Sequence, residues 1–328
     1  MNKKKIVIGG ALAVLLGYAV SVYWSCEPDT FSPSKYAAQQ ATLNHQQPVI
    51  GYETTTTLIH INQLLLDKPG GFLTNDRLPP SVLMDNMPAW EAGVLTQVRD
   101  MVLILKDRIS RSQNESRIDP NQKEAQPALN INSHSWNFPS AESQYQEAID
   151  SLISYRDRLL ETKNPSKQAT FYARDDGLVA WLEVVQNRLG SISQDLGSSV
   201  GEAHLNVDHD QLAEGNGVLR EIKVDNTKTP WLRIDNVFYE SRGSTWALLL
   251  LMQSMRDDFK QVLEEAKAMV VMDQIIGELE ATQETVWSPI ILNGNGFGLI
   301  ANHSLIMANY VSRAQAGTVD LINLLEKR

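Results

Sequence analysis

Ile6–Trp24 is an uncharged run of nineteen residues behind a cationic head of Lys3, Lys4 and Lys5. As an α-helix with a rise of about 1.5 Å per residue it would reach roughly 28 Å, close to the roughly 30 Å of a bilayer's hydrocarbon core. A chain that opens this way divides into a part that fits lipid and a part that folds in water. A signal peptide carries a shorter apolar region, about 7–15 residues, and Ala19-Val20-Ser21 offers it a cleavage site. Val22, Tyr23 and Trp24 extend the run past that length, and aromatic residues belong at a membrane interface. The favoured expectation is an uncleaved single transmembrane helix, residues 1–26, with the lysines on the cytoplasmic side.

Cys26 is the only cysteine. Tyr23-Trp24-Ser25-Cys26 is a poor lipobox, because Tyr23 stands where a Leu-like residue is needed and Trp24 where a small one is. A single cysteine allows no intrachain disulfide and suits an oxidising compartment, where stray thiols are a liability.

The formal net charge is −10, and the three anchor lysines leave the remainder more acidic still. That balance argues against nucleic acid as a partner. Residues 27–50 are polar, contain Pro28 and Pro33, and read as a tether holding the body away from the membrane.

The body, 51–328, is expected to be mainly α: a helical bundle with long amphipathic helices and a small extended or β insertion around 218–239. Apolar residues recur at helical spacing from Leu58 to Leu65, Trp90 to Ile109, Tyr145 to Leu159 and Leu178 to Ile192. Arg111–Pro139 is rich in Ser, Asn, Gln and Pro and reads as a mobile insertion, with Trp136 and Phe138 able to dock on the body. Val218–Val224 and Leu232–Tyr239 alternate and read as extended segments. A helix of nearly forty residues is expected from Ser244 to Thr282, bent or broken near Gly277. A last helix, Leu299–Glu326, folds back on it.

Glu284 to Arg313 encloses a stretch without Asp, Glu, Lys or Arg. A second span is disfavoured, because Pro289, the glycines and four asparagines would need partners inside hydrocarbon. A buried hairpin with amide capping fits better. Asn293–Gly298 (NGNGFG) ahead of a helix resembles a phosphate loop but lacks the full Gly-x-Gly-x-x-Gly order and the P-loop lysine. The candidate ligand or interaction patch is therefore Glu284, Trp287, Asn293, Asn295, Asn302, His303 and Asn309, with Glu284 in reach of His303 in a folded hairpin. Asp208-His209-Asp210 with His204 lacks a zinc-site spacing. No metal, cofactor or complete catalytic set is expected.

Several phrases resemble an uncharacterised bacterial family, domain of unknown function 2333. They are Leu58–Gly71 (LIHINQLLLDKPGG), Leu78–Pro80 (LPP), Asp85–Pro88 (DNMP), Thr229–Glu240 (TPWLRIDNVFYE) and Trp287–Tyr310 (WSPIILNGNGFGLIANHSLIMANY). The resemblance covers nearly the whole chain and implies a membrane-anchored architecture, with no assigned activity and no catalytic residues. The expectation is a single-pass protein of the bacterial inner membrane with a periplasmic body. Its expected role is a non-enzymatic interaction or scaffold component with envelope protein partners. The alternative is an envelope enzyme or small-ligand binder using the uncharged 284–310 segment.

Overall fold

The computed structural model describes residues 3–111, 118–164, 167–201, 204–205, 224–225, 228–288, 290–295 and 299–327. The anchor run forms α1 (Lys3–Trp24). Its Val7–Trp24 window has a mean hydropathy of 1.8, with Trp24 at its end partly buried against the body. The helices that follow are α2 (Pro33–Leu43), α3 (Tyr52–Asp67), α4 (Asn86–Ile104, continued by a π-helical turn, Leu105–Ile109), α5 (Pro120–Leu129) and α6 (Ala141–Leu159). They are succeeded by α7 (Asp175–Val200), α8 (Ile234–Asp258), α9 (Lys260–Glu265), α10 (Met269–Ala281) and α11 (His303–Glu326). The fold class is mainly α, as the apolar periodicity predicts. Among the described residues the extended part is one antiparallel pair, His204–Leu205 with Val224–Asp225.

The centre of the bundle is the crossing of α4 and α8. Gly93 and Gly243 let the two backbones touch: a Cβ on Gly93 would lie 2.0 Å from the Glu240 carbonyl oxygen, and one on Gly243 2.1 Å from that of Trp90. Trp90 and Trp246 close around this point with ring centroids 5.2 Å apart, both buried. Gln97 donates to the Ser244 hydroxyl at 2.8 Å. A helical glycine costs up to about 1 kcal/mol of propensity against alanine; here close packing offsets it.

Register along the other pairs orients the bundle. α7 and α11 run antiparallel, with Ser193 and Ser312 hydroxyls 2.7 Å apart and Gly190 facing Gln315. α8 and α10 form an antiparallel hairpin tied by Gln253–Glu280 at 3.2 Å and Arg256–Asp273 at 2.5 Å. The start of α3 meets the end of α8: Asp258 accepts from the Gly51 and Thr54 amides at 2.8 and 2.9 Å and from the Thr54 hydroxyl at 2.6 Å. One end of the bundle therefore gathers the end of α3, the starts of α4, α6, α8 and α11, and the end of α7.

Four expectations are corrected. Leu232–Tyr239 is not extended: Trp231–Arg233 is a 3-10 turn and Ile234 opens α8. Phe238 is buried, with Val237 and Tyr239 packed against the core beside it, and this tertiary packing overrides strand propensity. Of the other expected extended segment, residues 218–223 lie outside the described residues. The Ser244–Thr282 helix breaks at Phe259 and at Lys267, not at Gly277. Lys267 adopts φ 55° and reverses the chain, whereas Gly277 sits inside α10 with open space beside it.

The 111–139 stretch is not wholly irregular. Asp119 caps α5 by accepting from the Asn121 amide at 3.0 Å, and Ala125 and Leu129 are fully buried. Trp136 and Phe138 stay exposed rather than docking; residues 112–117 lie outside the described residues. Finally, 27–50 is no tether. Ala37 and Ala41 are buried, Tyr36 stacks on His60 at 3.9 Å, and Phe31 meets His60 edge-on at 4.7 Å. The small alanines let α2 lie close on α3, which a composition reading counts only as polar.

Candidate functional site

The seat of α1 is built from the loop after α3. Glu91, in the second turn of α4, accepts from the Leu73 amide at 2.8 Å and the Thr74 amide at 2.9 Å, and its partner Lys68 lies at 2.5 Å. Both charged side chains are 0% exposed, and Lys68 also donates to the Gly71 carbonyl. A buried ion pair survives only when its remaining hydrogen-bonding capacity is met, and here backbone amides supply it. The loop so fixed presents Gly70, at φ +86°, beneath the Trp24 indole; a Cβ there would come within 2.8 Å of the ring. Three residues later Glu27 pairs with Arg242 of α8 at 2.7 Å. The Arg242 guanidinium also donates to the carbonyls of Thr282, Gln283 and Glu284 at 3.1, 3.1 and 2.8 Å. α1 and the residues after it thus join the body through Trp24 and Glu27 with no slack between them.

The uncharged 284–310 segment forms a turn against the starts of α8 and α11. Asn302 caps α11 by accepting from the Leu305 amide at 2.9 Å, and its own amide donates to the Gly294 carbonyl at 2.8 Å. Asn293 accepts from the Ser304 amide at 3.2 Å and donates to the Ser199 carbonyl at 3.4 Å. His303 Nδ1 accepts from the Leu292 amide at 3.0 Å, and burial lowers its pKa. Asn293, Asn302 and His303 are therefore brought together, and their polar groups close the turn. Glu284, Trp287, Asn295 and Asn309 are exposed. Glu284 contributes its carbonyl to Arg242, and His303 takes its hydrogen bond from Leu292 instead. Pro289 and Gly296–Gly298 lie outside the described residues, as do Asp208, His209 and Asp210. The hairpin's apolar residues divide: Val286 and Ile291 pack against the core, whereas Trp287 is 92% and Leu299 107% exposed.

Two clefts lie elsewhere, where α2, α3, α8 and α10 meet. One of about 460 Å³ is lined by Phe31, Glu53, Arg256, Asp257 and Asp273, among others. A second of about 310 Å³ shares Glu53 and Asp257 with it and reaches Tyr52 and Asp258. Glu53 Oε1 is buried without a hydrogen-bond partner. Burial, and then the charges of Asp257 and Asp258, push its pKa up to about 8. Burial also raises Asp258 despite its three hydrogen bonds. Nothing in the Thr/Leu pattern of α3 marks Glu53 in advance, because its neighbours come from α8. Among the described residues no group of three His, Cys, Asp or Glu is placed to hold a metal ion.

Glu53 has a consequence for stability. Its folded-state value lies above the unfolded 4.5, so the folded protein holds a proton that the unfolded chain releases as pH rises. The stability this gives is present below pH 4.5 and is lost as pH rises toward about 8. Because the side chain is partly exposed, the full shift overstates the loss, and about 1–2 kcal/mol is expected after screening. Glu53→Gln should raise the melting temperature at pH 8 and flatten its decline between pH 5 and 8, as thermal unfolding in a pH series would show.

Fold and site together define a class: a mainly helical protein carrying one N-terminal helix apolar enough to cross a membrane, seated directly on its body. The chain belongs to the domain of unknown function 2333 family, described as an uncharacterized protein conserved in bacteria, whose profile matches residues 2–328. Neither a curated protein nor a solved structure matches it.

Proposed function

We propose that this is a single-pass, membrane-anchored interaction component of the bacterial cell envelope, its lysines cytoplasmic and its body periplasmic. The observation that carries this reading is the seat: Trp24 on Gly70 and Glu27 on Arg242 hold a large helical body at a fixed place on its anchor. Such a mount suits a component that presents surfaces to partners at a set height. Asn302 and the Nδ1 of His303 bond within their own turn, and Asn293 ties that turn to the Ser199 carbonyl of α7, which supports a structural use for these groups. A photo-cross-linking residue placed at exposed Val270 or Lys260, in full-length protein in native membranes, tests the proposal. Discrete, position-dependent adducts with another envelope protein are expected. Adducts absent from every surface position would remove the basis for an interaction role.

A further inference from the structure

Resting on the reading that α1 crosses a membrane, we infer that the anchor end of the bundle is itself a membrane-docking face, inserted in the interface of the bilayer that α1 spans. Among the described residues outside α1, the exposed large aromatic side chains are Trp136, Phe138, Trp231 and Trp287, at 60, 101, 79 and 92% exposure. All four lie at the end where α1 enters. Trp231 precedes the first residue of α8, and Trp287 follows the three carbonyls that Arg242 binds. Trp136 sits under Arg77, and the neighbouring Ser135 carbonyl accepts from Asn75, in the loop that begins at the anchor's seat. Leu83 and Leu299, at 79 and 107% exposure, extend the same face. Leu43, Ile50 and Val270 are the exposed aliphatics beyond 50% toward the opposite end.

The path of the chain says what covers this face. After the anchor it runs from Glu27 at Arg242 to Pro33, which lines the cleft with Gln253 and Arg256. It therefore travels along α8 away from Ile234, and α1 arrives from the Ile234 side. Arg242 is eight residues into α8, so about 12 Å of that helix extends toward the anchor beyond the tie. With no slack between Trp24 and Glu27, those first turns and the loops beside them are brought to the membrane surface. Exposed tryptophans flanked by aliphatic residues are the side chains suited to that zone, an apolar ring body with a polar N–H edge. Acidic Asp76, Asp85, Asp235 and Glu284 share the end with Arg77 and Arg233, so the docking rests on apolar insertion rather than attraction to anionic lipid.

Full-length protein in vesicles of brominated phosphatidylcholine tests this, since bromine quenches tryptophan emission only at contact. Trp24 serves as the internal standard for the anchor. The expected result is that Trp231→Phe and Trp287→Phe each lower the quenched fraction relative to the parent, that the double variant lowers it further, and that 0.5 M salt leaves it unchanged. Both positions are exposed, so the substitutions leave the core intact. If Trp24→Phe alone removes the quenching, the anchor stands and the docking face is overturned. If the parent shows no quenching, the membrane anchor itself has failed. Shielding of Trp231 and Trp287 from aqueous quencher without bromolipid contact, in a chain that sediments as a dimer, would assign the face to a second copy and overturn the inference.

Discussion

Gly243→Ala should cost the fold about 3–5 kcal/mol, and Gly93→Ala a similar amount. The added Cβ at position 243 would meet the Trp90 carbonyl oxygen at 2.1 Å and its carbon at 2.8 Å; at position 93 it would meet the Glu240 oxygen at 2.0 Å and the Ser244 nitrogen at 2.6 Å. These are backbone atoms of rigid helices, so no rotamer change relieves the clash. α4 and α8 must move apart, which opens space around Trp90 and Trp246 and adds a void penalty to the roughly 1–3 kcal/mol typical of overpacking. Gly277→Ala is the matched control. It lies inside α10 with nothing within 4 Å, so it should stabilise by about 0.5–1 kcal/mol through helix propensity alone. Urea denaturation of the three variants, with the slope held as a check on two-state behaviour, separates a close helix crossing from a general intolerance of substitution.

Glu91→Ala should be the second severe lesion, by about 3–5 kcal/mol. It removes the counter-charge of Lys68, whose side chain is 0% exposed, and strands the Leu73 and Thr74 amides. Breaking one partner of a buried pair is far costlier than the pair's net worth, because the survivor keeps its desolvation penalty. Lys68→Met combined with Glu91→Ala should recover part of the loss, leaving only the unmet amides. The lesion should spread to α1, because the 68–74 loop supports Gly70 under Trp24. Thermal unfolding read by tryptophan emission should show a lowered midpoint. The surface pairs Arg188–Asp100 and Arg313–Glu278, each with one partner about half exposed, should move it by only about 0–1 kcal/mol when broken.

Much of the helical content was readable from spacing. Val94, Val98, Met101, Val102 and Leu105 recur every three to four residues in α4 and its π-helical turn, and Leu178, Trp181, Leu182, Val185 and Leu189 do so in α7; all are buried. What spacing cannot convey is contact between elements. Gly93 and Gly243 read as weaknesses in their helices because the partner that requires them is 150 residues away. α5 was hidden by its Asn, Gln and internal Pro127, since mainly Ala125, Ala128 and Leu129 carry its buried face. α2 was hidden likewise behind alanines. Of the candidate site, the asparagine turn was legible because Asn293 and Gly294 lie in a turn pattern ahead of a helix; the helix expected from Leu299 begins instead at His303, with Asn302 as its cap. The outward direction of Trp287 and Leu299 was not, because an uncharged run looks the same whether it faces a core or a membrane. The raised pKa of Glu53 was equally invisible, since Asp257 and Asp258 approach it from another helix.

The body is fixed to α1 through Trp24 and Glu27 rather than tethered to it. Cys26, the only cysteine and exposed, offers a direct test. A spin label there and a second at Lys260→Cys, on the far end of the body, can be measured by double electron–electron resonance in full-length protein in nanodiscs. A single narrow distance distribution is predicted, broadening when Glu91→Ala loosens the seat. A broad distribution in the otherwise unaltered protein would contradict the seated anchor and restore a flexible link at residues 27–50.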